Sequence, residues 1–181
     1  MKTSKFIFLI LILNYSIMAQ KFAANNENSK IGFVIKNIGL NVNGTFSGLK
    51  GNIIFDSKNL TSSEIDVSVN SNSINTDNTA RDKHLRNEEY FDVGKYTLIT
   101  FKSVKIENAL RLNRYNVEGV LTIKGISKTV KFELITSEKG NNIELKCNFE
   151  INRKNYNVGG SSLILSNNVK LNLIILATKM N

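Results

Sequence analysis

The chain has 181 residues, of which 41% are hydrophobic, 8% aromatic and 22% charged, the makeup of one folded domain and not of a disordered tail, a collagen-like fibre or a coiled coil. Proline and tryptophan are absent, and the lone Cys147 excludes an intrachain disulfide or a clustered-thiol metal site. The formal net charge of +9 raises nucleic acid as a partner, but Lys102, Lys105, Lys124, Lys128, Lys131 and Lys146 are scattered beside Glu or Asn and not gathered on an aromatic platform.

The first segment is a predicted export signal. Met1, Lys2 and Lys5 form a basic start, Phe6 to Leu13 an apolar run, and Ile17-Met18-Ala19 a cleavage site ahead of Gln20. The apolar run falls short of the ~20 residues that a spanning helix requires. The expected division is therefore a signal peptide at 1–19 and one domain at 20–181, exported to a bacterial periplasm or secreted.

From there the dominant period is two, the mark of strands with one buried face. Ile31, Phe33 and Ile35 share a parity, followed by Val42, Gly44 and Phe46, and, after a turn at Gly48 to Gly51, by Ile53 and Phe55. Ile65, Val67 and Val69 alternate with Glu64, Asp66 and Ser68. Ile99 and Phe101 give way to Val104 and Ile106, so the parity flips near Ser103 and predicts a bulge. Val117, Gly119, Leu121 and Ile123 continue across a turn at Gly125 to Val130, Phe132 and Leu134. Ile143, Leu145, Cys147, Phe149 and Ile151 follow a turn at 139–142, and Val169 to Ala177 form the last strand. One stretch breaks the rhythm: Asp77 or Asn78 can cap a short helix near residues 79–88, which would serve as a lid or plug.

Many short strands with no long helical period between them predict an all-β, antiparallel domain. One apolar parity and about eight strands favour closure into a barrel, because an open sheet would leave long unpaired edges. An eight-stranded barrel is either filled by its own side chains or holds one small ligand.

In order along the chain, Phe33-Val34-Ile35-Lys36, Val42-Asn43-Gly44-Thr45-Phe46, Gly51-Asn52-Ile53-Ile54-Phe55-Asp56, Ser73-Ile74-Asn75-Thr76, Arg81-Asp82-Lys83-His84-Leu85, Tyr90-Phe91-Asp92-Val93, Ile99-Thr100-Phe101-Lys102-Ser103 and Val117 to Gly125 resemble the YceI-like family of lipocalin-like barrels. Arg153, Tyr156 and Gly159 resemble its late strand-turn motif. Asn37 departs from it, standing where many relatives have histidine, and Thr97 stands where they have proline. The resemblance implies an extended antiparallel lipocalin-like barrel that holds a polyisoprenoid or another long-chain amphiphile, with no catalytic activity, no metal and no required cofactor.

The apolar parity supplies the expected channel wall: Phe33, Phe46, Phe55, Val67, Phe101, Leu121, Ile123, Phe132, Phe149, Leu171 and Leu173, with Leu85 and Phe91 closing from the helical segment. Arg81, His84 and Arg153 are the expected polar mouth, where their donors could meet a phosphate or a quinone oxygen. Cys147, on the apolar parity, is expected to be a small buried hydrophobe.

Other classes fit less well. His84 is the only histidine, which excludes a histidine-based metal centre, and Glu88 and Glu89 are adjacent and so point apart. A membrane-spanning barrel would need aromatic girdles, and the polar parity carries too many Lys and Glu residues for a lipid-facing band. The remaining alternative is a secreted barrel with a filled interior that binds a protein. Peripheral membrane contact and a homodimer complete the expected partners.

Overall fold

The computed structural model describes residues 20–180; the predicted signal at 1–19 lies outside them. Nine strands follow in chain order: β1 (Gln20–Asn37), β2 (Leu40–Phe46), β3 (Lys50–Phe55), β4 (Glu64–Asn70), β5 (Leu98–Asn108), β6 (Arg114–Ile123), β7 (Ile126–Lys139), β8 (Asn142–Asn152) and β9 (Leu165–Lys179). Between β4 and β5 lies α1 (Thr79–Leu85), the one α-helix among the described residues. All strand pairs are antiparallel. The sheet runs β2-β1-β3-β4-β5-β6-β7-β8-β9, and β1 pairs with β9 to close it.

The strand β1 makes closure possible by changing partners along its length. On one edge it pairs with β9 from Phe22↔Lys179 to Asn37↔Leu165. On the other, Gln20–Ala23 pair with β3, and after an irregularity between Asn25 and Lys30 the segment Ile31–Asn37 pairs with β2. Eight strands thus form the ring, and β2 extends its wall. The start of β1 has little apolar alternation, so sequence period places its beginning near Ile31. Residues 20–30 become strand because the facing edges of β3 and β9 need backbone partners.

The other expectation of irregularity is met where the parity flips. The β5–β6 register shifts between Ser103 and Lys105, and Ser103 Oγ accepts a hydrogen bond from the Ile65 amide at 2.8 Å. This bulge bends β5, which a closed sheet needs at its corners.

The interior has two storeys. At the end where β1 begins and β9 finishes, Phe22, Ile53, Phe55, Ile106, Tyr115, Val117, Ile143 and Ala177 are buried and fill the space between the strands. Phe55 and Tyr115 meet edge to face, with ring centroids 5.1 Å apart. Aromatic pairs of this geometry add to the stabilisation from area burial. This packed floor closes one end of the ring. Phe55→Ala is expected to lower unfolding stability by about 3–5 kcal/mol, as for other large-to-small aromatic replacements in a core, read as a fall in the urea midpoint.

Candidate functional site

Above the floor the ring is hollow. A cavity of ≈ 230 Å³ runs from Ile65, Leu134, Leu145 and Cys147, just above the floor, to Asn37, Val42, Leu165 and Val169 at the opposite strand ends. At about 30 Å³ per water, that is room for on the order of eight water-sized groups. Its wall is almost wholly aliphatic and aromatic. Phe33 and Phe46 lie 5.7 Å apart, Phe46 meets Phe91 at 5.4 Å, and Phe132 bridges Phe101 at 5.5 Å and Phe149 at 4.6 Å.

Two glycines keep those rings against the wall. A Cβ at Gly44 would lie 2.2 Å from the Phe33 ring, and one at Gly119 would lie 2.4 Å from the Phe101 ring. Gly44 faces Phe33 directly across the β1–β2 ladder. Each phenyl ring occupies the place of a missing side chain on the neighbouring strand, and the lumen beside it stays open.

Residues 71–97 fill the gap between β2 and β5. Asn78 caps α1, its Oδ1 accepting from the Arg81 amide at 2.9 Å, and the helix ends at Leu85 rather than at 88 because Arg86 to Tyr96 continue as turns. The segment is pinned at several points. Thr45 and Asn75 exchange backbone hydrogen bonds of 2.8 and 3.0 Å, Arg86 donates to the carbonyls of Asn72 and Ile74, and Ser71 Oγ donates to Tyr96 O. Ile74 is fully buried at its centre. These bonds make it a fixed side wall, with Leu85, Tyr90 and Phe91 turned to the cavity.

Every wall residue expected from the sequence lines this cavity except Phe55, which lies in the floor against Tyr115. The expected mouth separates into three cases. Arg81 lines the cavity, with Nε donating to Thr76 Oγ1 at 2.7 Å and Nη2 to Thr76 O at 2.6 Å; Nη1 has no protein acceptor among the described residues. Asp82 is buried behind it and accepts from the Thr76 amide and hydroxyl, which fixes the threonine that fixes the arginine.

His84 lies outside the lining. Its side chain is 55% exposed, with Nε2 3.8 Å from a Glu89 carboxylate oxygen and the ring 5.0 Å from Tyr90. A helix places His84 and Arg81 nearly one turn apart, yet the adjoining Leu85 takes the inward position and leaves the imidazole outside.

Arg153 lines the cavity but has no donor to spare. Its Nε donates to Ser166 O, its Nη1 to the carbonyls of Val158 and Gly160, and its Nη2 to Leu165 O and Asn167 Oδ1. All five guanidinium N–H groups are taken up. Arg153 is 3% exposed, so it is a clamp on the loop leading into β9 and not the head-group contact expected from sequence.

Sequence period missed the polar atom that the cavity does leave open. Asn37 lines it, and Asn37 Oδ1 is buried with no hydrogen-bond partner among the described residues. Buried polar atoms are nearly always paired, so an orphan facing a cavity is an acceptor waiting for a donor. The departure from the family's histidine was the only signal at that position. Ile74, Thr76, Tyr90, Tyr156 and Val158 were also missed as lining residues, because they come from segments without strand alternation. Among the described residues no group of three or more His, Cys, Asp and Glu gathers that could hold a metal ion, and no helix is long and apolar enough to cross a membrane.

Cys147 is buried in the wall, and burial pushes its thiol from 9.0 up to about 12. Desolvation disfavours the thiolate, so the group behaves as a small hydrophobe.

A closed antiparallel barrel with a packed floor and an apolar cavity has an architecture that can hold a small hydrophobic guest. The YceI-like domain profile matches residues 22–177, and the chain belongs to that family. The UPF0312 protein YE1254 of Yersinia enterocolitica is 34% identical over 122 residues, which cover 67% of this chain and 62% of that protein. The chain spans about three-fifths of the length of the curated relatives it matches. A crystal structure of the Campylobacter jejuni YceI protein superposes with a TM-score of 0.70 at 27% identity, covering 78% of this chain and 86% of that one. A polyisoprenoid binding domain from Saccharophagus degradans, implicated in plant cell wall breakdown, shares the fold at a TM-score of 0.73 and 16% identity, covering 88% and 98%.

Two outcomes follow from the site. Arg153→Met is expected to lower stability by about 3–5 kcal/mol in urea unfolding, because it orphans buried carbonyls, and Arg153→Lys is expected to recover only part of this with its three donors. The folded state holds the Cys147 proton more tightly than the unfolded chain does. Its contribution is complete below pH 9 and is lost as pH rises toward 12, at up to about 1.4 kcal/mol per pH unit. Cys147→Ala is therefore expected to show a shallower fall in Tm between pH 9 and pH 11 than the parent; Tyr156, also raised by burial, continues the fall in both.

Proposed function

We propose that the chain is an exported carrier or store for a polyisoprenoid or a similar long-chain amphiphile, not an enzyme, with the tail in the barrel and the head at Arg81 and Asn37. The observation that carries this reading is the apolar cavity whose few polar groups include the Arg81 guanidinium, with Nη1 unpaired among the described residues, and the orphan Asn37 amide oxygen. The shared fold of the Saccharophagus degradans polyisoprenoid binding domain and the export-like leader support it. The binding needs no cofactor.

Size sets a limit on the guest. A tail of ~40 carbons would exceed the room available, whereas about 8–10 carbons fill it; a longer chain leaves its remainder outside the mouth or parts the aromatic rings. At about 0.3 kcal/mol per heavy atom, 8–10 enclosed carbons give roughly 2–3 kcal/mol, a dissociation constant on the order of 10⁻² M from the enclosed part alone. A charge-assisted hydrogen bond from Arg81 adds about 1.5–3 kcal/mol, enough to tighten binding about 10- to 100-fold for an anionic head.

Organic extraction of the purified protein followed by mass spectrometry is expected to release one class of long-chain amphiphile in near-stoichiometric amount. Arg81→Met is expected to weaken a prenyl phosphate at least about tenfold while leaving the corresponding prenyl hydrocarbon unchanged, measured by displacement of a fluorescent lipid. Empty extracts together with no uptake of either probe would overturn the reading.

A further inference from the structure

The cavity opens beneath a greasy rim that the ring does not need for its own stability. The β1–β2 turn Ile38-Gly39 and the loop before β9 are joined by a hydrogen bond from the Ile38 amide to Ile164 O at 2.9 Å. Together they expose Ile38 at 70%, Leu40 at 74%, Leu163 at 106% and Ile164 at 58%. These four residues flank the cavity-lining Asn37 and Leu165, which pair with each other. Ile38 has φ +50° and Gly39 φ +77°, the two left-handed positions of a tight hairpin turn. Asn or Asp followed by Gly suits that turn; a β-branched residue there is strained, and at this tip it is also wet. The chain thus accepts a conformational and a solvation cost to place an isoleucine at the rim.

The charges are divided in the same direction. Apart from Glu27, every Asp and Glu lies between Asp56 and Glu150, so the second half of β1, all of β2, the loop before β9 and β9 itself contain no acid. Lys30, Lys36 and Lys170 on these elements are exposed and form no ion pair among the described residues. The nearest acid in the ladder is Glu150, opposite Lys170 on β8. Elsewhere on the barrel most strand cations have an acid beside them: Lys102 pairs with Glu64 and Asp66, Lys105 with Glu107, Lys131 with Glu118, Lys146 with Glu144 and Arg114 with Glu133, while Lys128 and Lys139 on β7 have none among the described residues.

We propose that the rim of Ile38, Leu40, Leu163 and Ile164, with the acid-free β2-β1-β9 panel below it, docks the mouth of the barrel on an anionic lipid bilayer. This rests on the lipid-carrier reading for its purpose, since the rim would bring the cavity against the phase that supplies or receives the guest. The rim inserts its apolar side chains among the acyl ends, and the unpaired lysines meet the head groups.

Residues 20–181, which contain the whole barrel, are mixed with vesicles of 30% phosphatidylglycerol in phosphatidylcholine, or of phosphatidylcholine alone, and floated. The protein is expected to float with the anionic vesicles and to be released by salt. Ile38→Ser, Leu40→Ser, Leu163→Ser and Ile164→Ser combined are expected to weaken partitioning at least tenfold. Lys36→Gln with Lys170→Gln is expected to cost about 5-fold per side chain, the share of each basic group at an anionic surface. Leu110→Ser with Leu112→Ser, on the exposed β5–β6 turn at the other end, is expected to change nothing. Thermal melts establish that each variant is folded. Equal flotation with both vesicle types, or flotation that the rim variant retains, would overturn the proposal. So would self-association without vesicles that the rim variant abolishes, which would assign the rim to a second copy. Flotation needs no bound guest, so an empty extract would defeat the carrier reading alone, whereas failure to float would leave that reading standing.

Discussion

The backbone ladder between β1 and β9 turns a nine-stranded sheet into an object with an inside. Without it, one edge of each strand would offer a row of unpaired amides and carbonyls to other chains. With it, the apolar parity of eight strands faces a common axis, and burial no longer depends on a second sheet. Closure also explains the composition. The chain can dispense with disulfides because each ring strand is held along two edges, and it can vary the filling of the interior because the wall is self-supporting.

What that wall encloses is decided by a few side chains. Phe55 and Tyr115 meet across one end and leave no lumen, whereas Phe33 and Phe101 lie flat over Gly44 and Gly119 and preserve one. The same residue type thus packs the barrel at one height and lies against a nearby glycine at another. Arg153 makes a comparable choice among polar groups. A guanidinium at the cavity wall would ordinarily be read as a ligand contact, but here the loop before β9 consumes every donor of Arg153, whereas Arg81 keeps its Nη1 group free among the described residues.

The fold was largely legible in the sequence because period two is a direct image of a half-buried strand. Even the Ser103 bulge was visible as a parity flip. The wall was legible for the same reason, since residues of one parity on a closed sheet must point inward. The beginning of β1 was not, because Ala23-Ala24-Asn25-Asn26 become strand through the demands of β3 and β9. Phe55 was misplaced because parity says inward or outward and nothing about height along the axis. His84 and Arg153 were misplaced because residue chemistry says what a side chain can donate, and only the fold says whether its donors are already spent. Asn37 shows the converse: marked in the sequence only as a departure from the family's histidine, it becomes notable once its oxygen is found buried and alone.

The packed lower storey has a further meaning for selection. For the proposed guest, a pocket open at one end and stopped at the other would act as a depth gauge: tails shorter than the shaft would leave part of the wall unwetted and forfeit contact, and longer ones would trail into water. Homologous barrels that differ only in where an aromatic pair crosses the axis would sort the same lipids by carbon number, with head-group chemistry untouched.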